Sequence, residues 1–113
     1  MKIVIKTRNF LLTEALQSHA ERRLRFALTF CNARIRRISV RLSDVNGPRG
    51  GIDKCCSLQV VLIGLPDVVV KDIETDLYVA IDRAANRAGR TIRRRLERQS
   101  DLAHKAGTVP HAT

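Results

Sequence analysis

Between residues 34 and 74 apolar side chains recur at every second position, whereas on either side they recur at every third or fourth, and few folds can bury both patterns together. Over residues 34–44, Ile38, Val40 and Leu42 face one way while Arg37, Ser39, Arg41 and Ser43 face the other, which predicts a half-buried strand. Cys56, Leu58, Val60 and Leu62 repeat the pattern over 55–63. The turn Gly64-Leu65-Pro66-Asp67 leads to a further strand over 68–74. Residues 2–7 read as a strand at the other end of the chain, with Ile3 and Ile5 on one face and Lys2, Val4 and Lys6 on the other.

The flanking segments read as helices. Thr13 is placed to cap the first, Glu14 suits the positive end of its dipole, and Leu12, Leu16, Ala20, Leu24 and Leu28 form one stripe ending near Phe30. Thr75 or Asp76 caps the last helix, whose apolar face is Leu77, Ile81, Ala84, Ala85, Ala88, Ile92 and Leu96. That helix is expected to span about two dozen residues. Periodicity is lost at Ser100, so residues 1–99 are expected to form the domain and 100–113 a frayed tail.

The order is β-α-β-β-β-α, an α+β class. Short connections make the last three strands an antiparallel meander, and each helix has one stripe to bury, so both should cover one face of a four-stranded sheet. The expected core includes Ile38, Val40, Leu42, Leu58, Val60, Ile81 and Ile92. A chain of 113 residues, 44% hydrophobic, closes one such core without a metal or disulfides. Three cysteines, two of them adjacent, do not form a secreted disulfide framework, and no leader pattern or membrane-length apolar run is present. A reducing, cytoplasmic setting follows as the expectation.

Charge narrows the partner. Lys and Arg number 21 against 11 Asp and Glu, a net charge of +10, and 16 of the cations are arginine, whose planar fork matches phosphate oxygens. On the last helix Arg83, Arg87, Arg90, Arg94 and Arg98 recur every three or four residues opposite the apolar face, widened by Arg93 and Arg95. From Arg83 to Arg98 there are seven arginines and one acid, Glu97, so ion pairs within the helix cannot neutralise the row. Arg22, Arg23 and Arg25 add cations on the first helix. These eight, Arg22, Arg23, Arg25, Arg83, Arg87, Arg90, Arg94 and Arg98, are the expected RNA-binding residues, with Lys2, Lys6, Arg37 and Arg41 as a supplement on the open sheet face. An anionic membrane and a charge kept for solubility are the competing readings. Phe10, Phe26, Phe30 and Tyr78 lie outside the strands, so a stacking platform on the sheet is not expected, and recognition should run through phosphates and RNA shape.

No catalytic constellation emerges. Cys55 and Cys56 point to opposite faces of a strand, His19, His104 and His111 lack ligand spacing, and Asp44-Val45-Asn46-Gly47 opens like a calcium loop that Arg49 then interrupts. No phosphate-binding glycine loop occurs, so no enzyme, cofactor, metal site or small-molecule substrate is expected. Gly89 in a helix interior points to a close helix–helix approach.

Leu12-Thr13-Glu14-Ala15-Leu16 and Asp76-Leu77-Tyr78-Val79-Ala80-Ile81-Asp82 head the two helices, and in them the chain resembles the ribosome hibernation-promoting factor and ribosome-associated inhibitor family, some members of which are called sigma-54 modulation proteins. The resemblance covers roughly residues 1–98. It implies the same β-α-β-β-β-α fold, cytoplasmic location, and binding to ribosomal RNA of the small subunit between head and body, where occupancy blocks messenger and transfer RNA. By position it implies that Arg23, Arg87, Arg90 and Arg94 are family basic residues, and that Tyr78 and Asp82 belong to the motif at the helix head. Gln17 stands where the family often has arginine and Phe26 where it often has lysine; the loop at 46–51 and the Cys55-Cys56 pair are also departures. No second, dimer-forming domain is visible. The expectation is a ribosome-associated translation inhibitor. A general structured-RNA binder and a basic module for acidic protein or membrane remain the alternatives.

Overall fold

The structure, a computed structural model, describes residues 1–44 and 53–111, with side chains as far as Leu102. In chain order the elements are β1 (Lys2–Arg8), α1 (Glu14–Leu28), a short 3₁₀ segment (Thr29–Arg34), β2 (Ile35–Asp44), β3 (Lys54–Leu62), β4 (Val68–Glu74) and α2 (Leu77–His111). The glycine-rich loop and its calcium-like opening fall largely in residues 45–52, outside the described residues.

One sheet of order β1-β2-β3-β4 results. β2, β3 and β4 form the expected antiparallel meander, while β1 lies parallel to β2, with Ile3 beside Ile38 and Ile5 beside Val40. A parallel neighbour requires a crossover, which α1 provides. Asn9, at φ 74, sits in the left-handed region at the exit of β1, a conformation that asparagine tolerates better than most residues.

The period-two pattern places Ile38, Val40, Leu42, Cys56, Leu58, Val60, Leu62, Val68 and Val70 on one face, all buried. Onto it pack Leu16, Ala20, Leu24 and Leu28 of α1, and Ala80, Ile81, Ala84, Ala85, Ala88 and Ile92 of α2. Both helices therefore cover the same face, and all seven expected core residues are buried. Thr13 caps α1, its Oγ1 accepting from the Leu16 amide at 3.1 Å. Of the two candidate caps for α2, Asp76 takes the role, Oδ1 accepting from the Tyr78 amide at 2.8 Å.

α1 and α2 run side by side in the same direction, since His19 meets Asp82, Arg23 meets Asn86 and Ala27 meets Gly89. A Cβ on Gly89 would lie 3.2 Å from the Ala27 carbonyl oxygen and 3.9 Å from Leu28 Cδ2, so the glycine serves the close approach. Gly89→Ala should fail to yield the stabilisation of about 1 kcal/mol that helix propensity alone would bring. Gly89→Leu should lower stability by about 1–3 kcal/mol through overpacking. Thermal unfolding of the two variants checks both.

α2 is 35 residues long and continues to His111, past the end of apolar periodicity at Ser100 where a tail was expected. The segment just beyond Ser100 holds Leu102, Ala103, Lys105 and Ala106, good helix formers that favour extending a helix already nucleated, although Gly107 and Pro110 farther on do not.

Candidate nucleic-acid interface

The arginines of α2 fall into two groups once β4 and α1 are in place. Arg87 donates from Nη1 to the Lys71 carbonyl at 2.6 Å and lies 3.7 Å from Asp72, and Arg83 Nε is 3.4 Å from Glu74. Arg95 donates from Nη1 to the carbonyls of Pro66 at 3.2 Å and Asp67 at 3.1 Å. Lys71 is on the edge strand and Pro66 and Asp67 lead into it, so Arg87 and Arg95 occupy main-chain acceptors there that could otherwise recruit another strand. Arg93 turns to the other side, its guanidinium carbon 4.0 Å from the Phe30 ring centroid.

Arg90, Arg94 and Arg98 remain. All three are exposed, and none has an ion-pair or hydrogen-bond partner among the described residues. They line the side of α2 turned away from the sheet. The expected five-arginine stripe thus becomes a three-arginine stripe available to a ligand, with Arg83 and Arg87 partly committed to β4.

On α1, Arg22 and Arg25 are exposed and unpaired among the described residues. Arg23 is different: Nη2 donates to Asn86 Oδ1 at 3.0 Å, and Nε lies 3.1 Å from Asp82 Oδ1. Nε makes no hydrogen bond, so the attraction to Asp82 is mainly coulombic. Asp82 also holds His19 Nε2 at 2.7 Å, and the His19 ring meets Tyr78 edge-on at 4.9 Å between centroids. Asp82 and Tyr78, singled out at the helix head, thereby join the two helices.

The open sheet face is a second basic surface. Register sets Lys6, Arg41, Ser57 and Lys71 in one row across all four strands, and Lys2 beside Arg37 in another. Lys71 was not singled out from sequence, although alternation along 68–74 carries the signal. Lys54 does not join it: Nζ is 2.9 Å from Asp44 and 3.1 Å from Asp53, and the hydrogen bond to Asp44 above all raises its pKa.

Cys31 and Cys56 are poor nucleophiles. Burial pushes the Cys56 thiol up to about 12, and burial likewise raises Cys31 despite Arg93 and Arg34 nearby, which act in the opposite direction. Among the described residues no group of three or more His, Cys, Asp or Glu could hold a metal ion, and no helix is long and apolar enough to cross a membrane.

These placements separate structural from available cations. Arg87→Ala should cost about 0.5–1.5 kcal/mol by freeing the Lys71 carbonyl and Asp72. Arg94→Ala should stay within about 0.5 kcal/mol of wild type, as for a surface position without partners. Urea unfolding of the two single variants distinguishes them.

The fold has counterparts among known proteins. The N-terminal domain of Protein Y from Thermus thermophilus is 28% identical, with a TM-score of 0.68 over 83% of this chain and 98% of that one. A ribosomal subunit interface protein from Coxiella burnetii shares the fold at 16% identity, with a TM-score of 0.74 over 86% of this chain and 99% of that one. No curated protein sequence matches significantly. The pattern of the sigma 54 modulation protein / S30EA ribosomal protein family matches residues 3–100, nearly the whole chain. The chain therefore belongs to that family, which comprises ribosome-associated factors of the hibernation type and not enzymes.

Proposed function

We propose that this protein binds the ribosomal RNA of the small subunit in the cytoplasm and silences the ribosome by occupying the channel that messenger and transfer RNA use. The observation that carries the reading is the set of exposed guanidiniums at Arg90, Arg94 and Arg98 on the outer side of α2, unpaired among the described residues, together with the exposed Arg22 and Arg25 of α1, in a chain of net charge +10. Unpaired cations in a row repel one another, and phosphates relieve that repulsion. Family membership supplies the ribosome as the source of those phosphates.

Inhibition on this reading requires occupancy only. A folded domain in the decoding channel excludes the anticodon stems of transfer RNA by volume, so the dose dependence is stoichiometric with ribosomes. Phosphate contacts release counterions, and added salt therefore relieves the block. The test adds pure protein to ribosomes with labelled initiator transfer RNA and a short message. Displacement of both RNAs at one protein per ribosome is the expected result. Normal binding of both RNAs while the protein stays on the small subunit would overturn the steric mechanism, and equal affinity for unrelated structured RNAs would favour a general RNA binder.

A further inference from the structure

We propose that Phe26 is a stacking site for one unpaired base of the bound RNA, with the Arg23 guanidinium fixed beside it. Phe26 is 75% exposed, which leaves most of an aromatic ring in water on the most basic stretch of α1. Arg22, Arg23 and Arg25 surround it in sequence, and the Arg23 guanidinium carbon lies 5.7 Å from its ring centroid. Asn86 and Asp82 hold Arg23 in place, so the cation does not have to be ordered when a ligand arrives. Four residues on, Phe30 is 38% exposed with the Arg93 guanidinium 4.0 Å from its centroid. Two aromatic–guanidinium pairs thus follow one another beside the α1–α2 seam.

The chemistry of the surroundings selects the occupant. A partner protein burying Phe26 in an apolar pocket would also have to desolvate Arg22 and Arg25, which lack partners of their own among the described residues. A nucleobase offers a flat π face to the ring and brings a phosphate to those same arginines. The sheet, whose strands carry no aromatic residue, cannot provide this stacking, so on this chain the function moves to a helix. The inference rests on the RNA-binding reading above and adds to it a contact with an unpaired nucleotide.

The test compares full-length wild type, Phe26→Ala and Phe26→Trp on a mixed-sequence single-stranded RNA carrying a fluorescent adenine analogue, on the blunt duplex of the same strand, and on purified small subunits. Losing the stacked base should weaken single-strand binding by Phe26→Ala roughly tenfold. Its salt slope should match wild type because no phosphate contact is lost. Duplex affinity should hardly change, Phe26→Trp should retain single-strand binding, and analogue fluorescence should respond to wild type and not to Phe26→Ala. Circular dichroism should find all variants folded, the position being exposed. Phe26→Ala binding the single strand as wild type does, or losing equal affinity for strand and duplex, overturns the proposal. So does a loss confined to intact small subunits, which would assign the ring to a ribosomal protein. If wild type binds neither RNA nor small subunits, the RNA-binding reading falls as well; salt-dependent RNA binding indifferent to residue 26 removes the stacking site alone.

Discussion

Replacing Arg90 and Arg94 together by Glu should abolish inhibition of translation and lower affinity for small subunits by at least about two orders of magnitude. Each reversal removes a cation with no partner among the described residues and, on the proposed reading, puts a like charge opposite phosphate. The neutral pair Arg90→Gln and Arg94→Gln should fall between, with the slope of log affinity against log salt reduced by at most about two units. Neither variant should melt appreciably below wild type, because both positions are exposed and carry no contact that supports the fold. Filter binding over a salt series and a melting curve are sufficient. Unchanged affinity in the folded reversal variant would remove the outer side of α2 from the interface.

The largest loss of stability is expected from Leu24→Ala. Leu24 is fully buried on the inner side of α1, packed in the core that joins both helices to the sheet. Truncation there removes transfer free energy and leaves a cavity, about 2–5 kcal/mol together, which for a domain of this size lowers the melting temperature by roughly 10 °C or more. RNA affinity measured well below the transition should remain close to wild type, because Arg22 and Arg25 are presented by the same helix. A large loss of affinity in a variant still folded at the measuring temperature would mean that the helix surface depends on core packing more closely than its contacts indicate.

These two variants act on different parts of the molecule, and the sequence already separates the parts. Alternation over β2 and β3 identified the buried face, because strand side chains alternate regardless of context, and the stripes of α1 and α2 identified the surfaces that must meet it. Local chemistry alone made Thr13 readable as a cap and narrowed the second cap to Thr75 or Asp76, between which the structure selects Asp76. Gly89 was readable as a close contact because nothing else rewards glycine inside a helix. The net charge and the arginine rows were likewise legible.

What each arginine does was not. Helical spacing puts Arg83, Arg87, Arg90, Arg94 and Arg98 on one stripe, but whether a given guanidinium is available depends on which carbonyls and carboxylates the fold brings within its reach. Arg87 finds the Lys71 carbonyl 16 residues away, and Arg23 finds Asn86 63 residues away. The parallel pairing of β1 with β2, the side-by-side course of the helices and the placing of Phe26 and Phe30 beside arginines arise in the same way. Period and propensity act over a few residues and so belong to the sequence. Partner choice is settled by chain segments that meet only when the core closes, and for that reason only the tertiary structure divides the arginines into those that hold β4 and those left without a partner among the described residues.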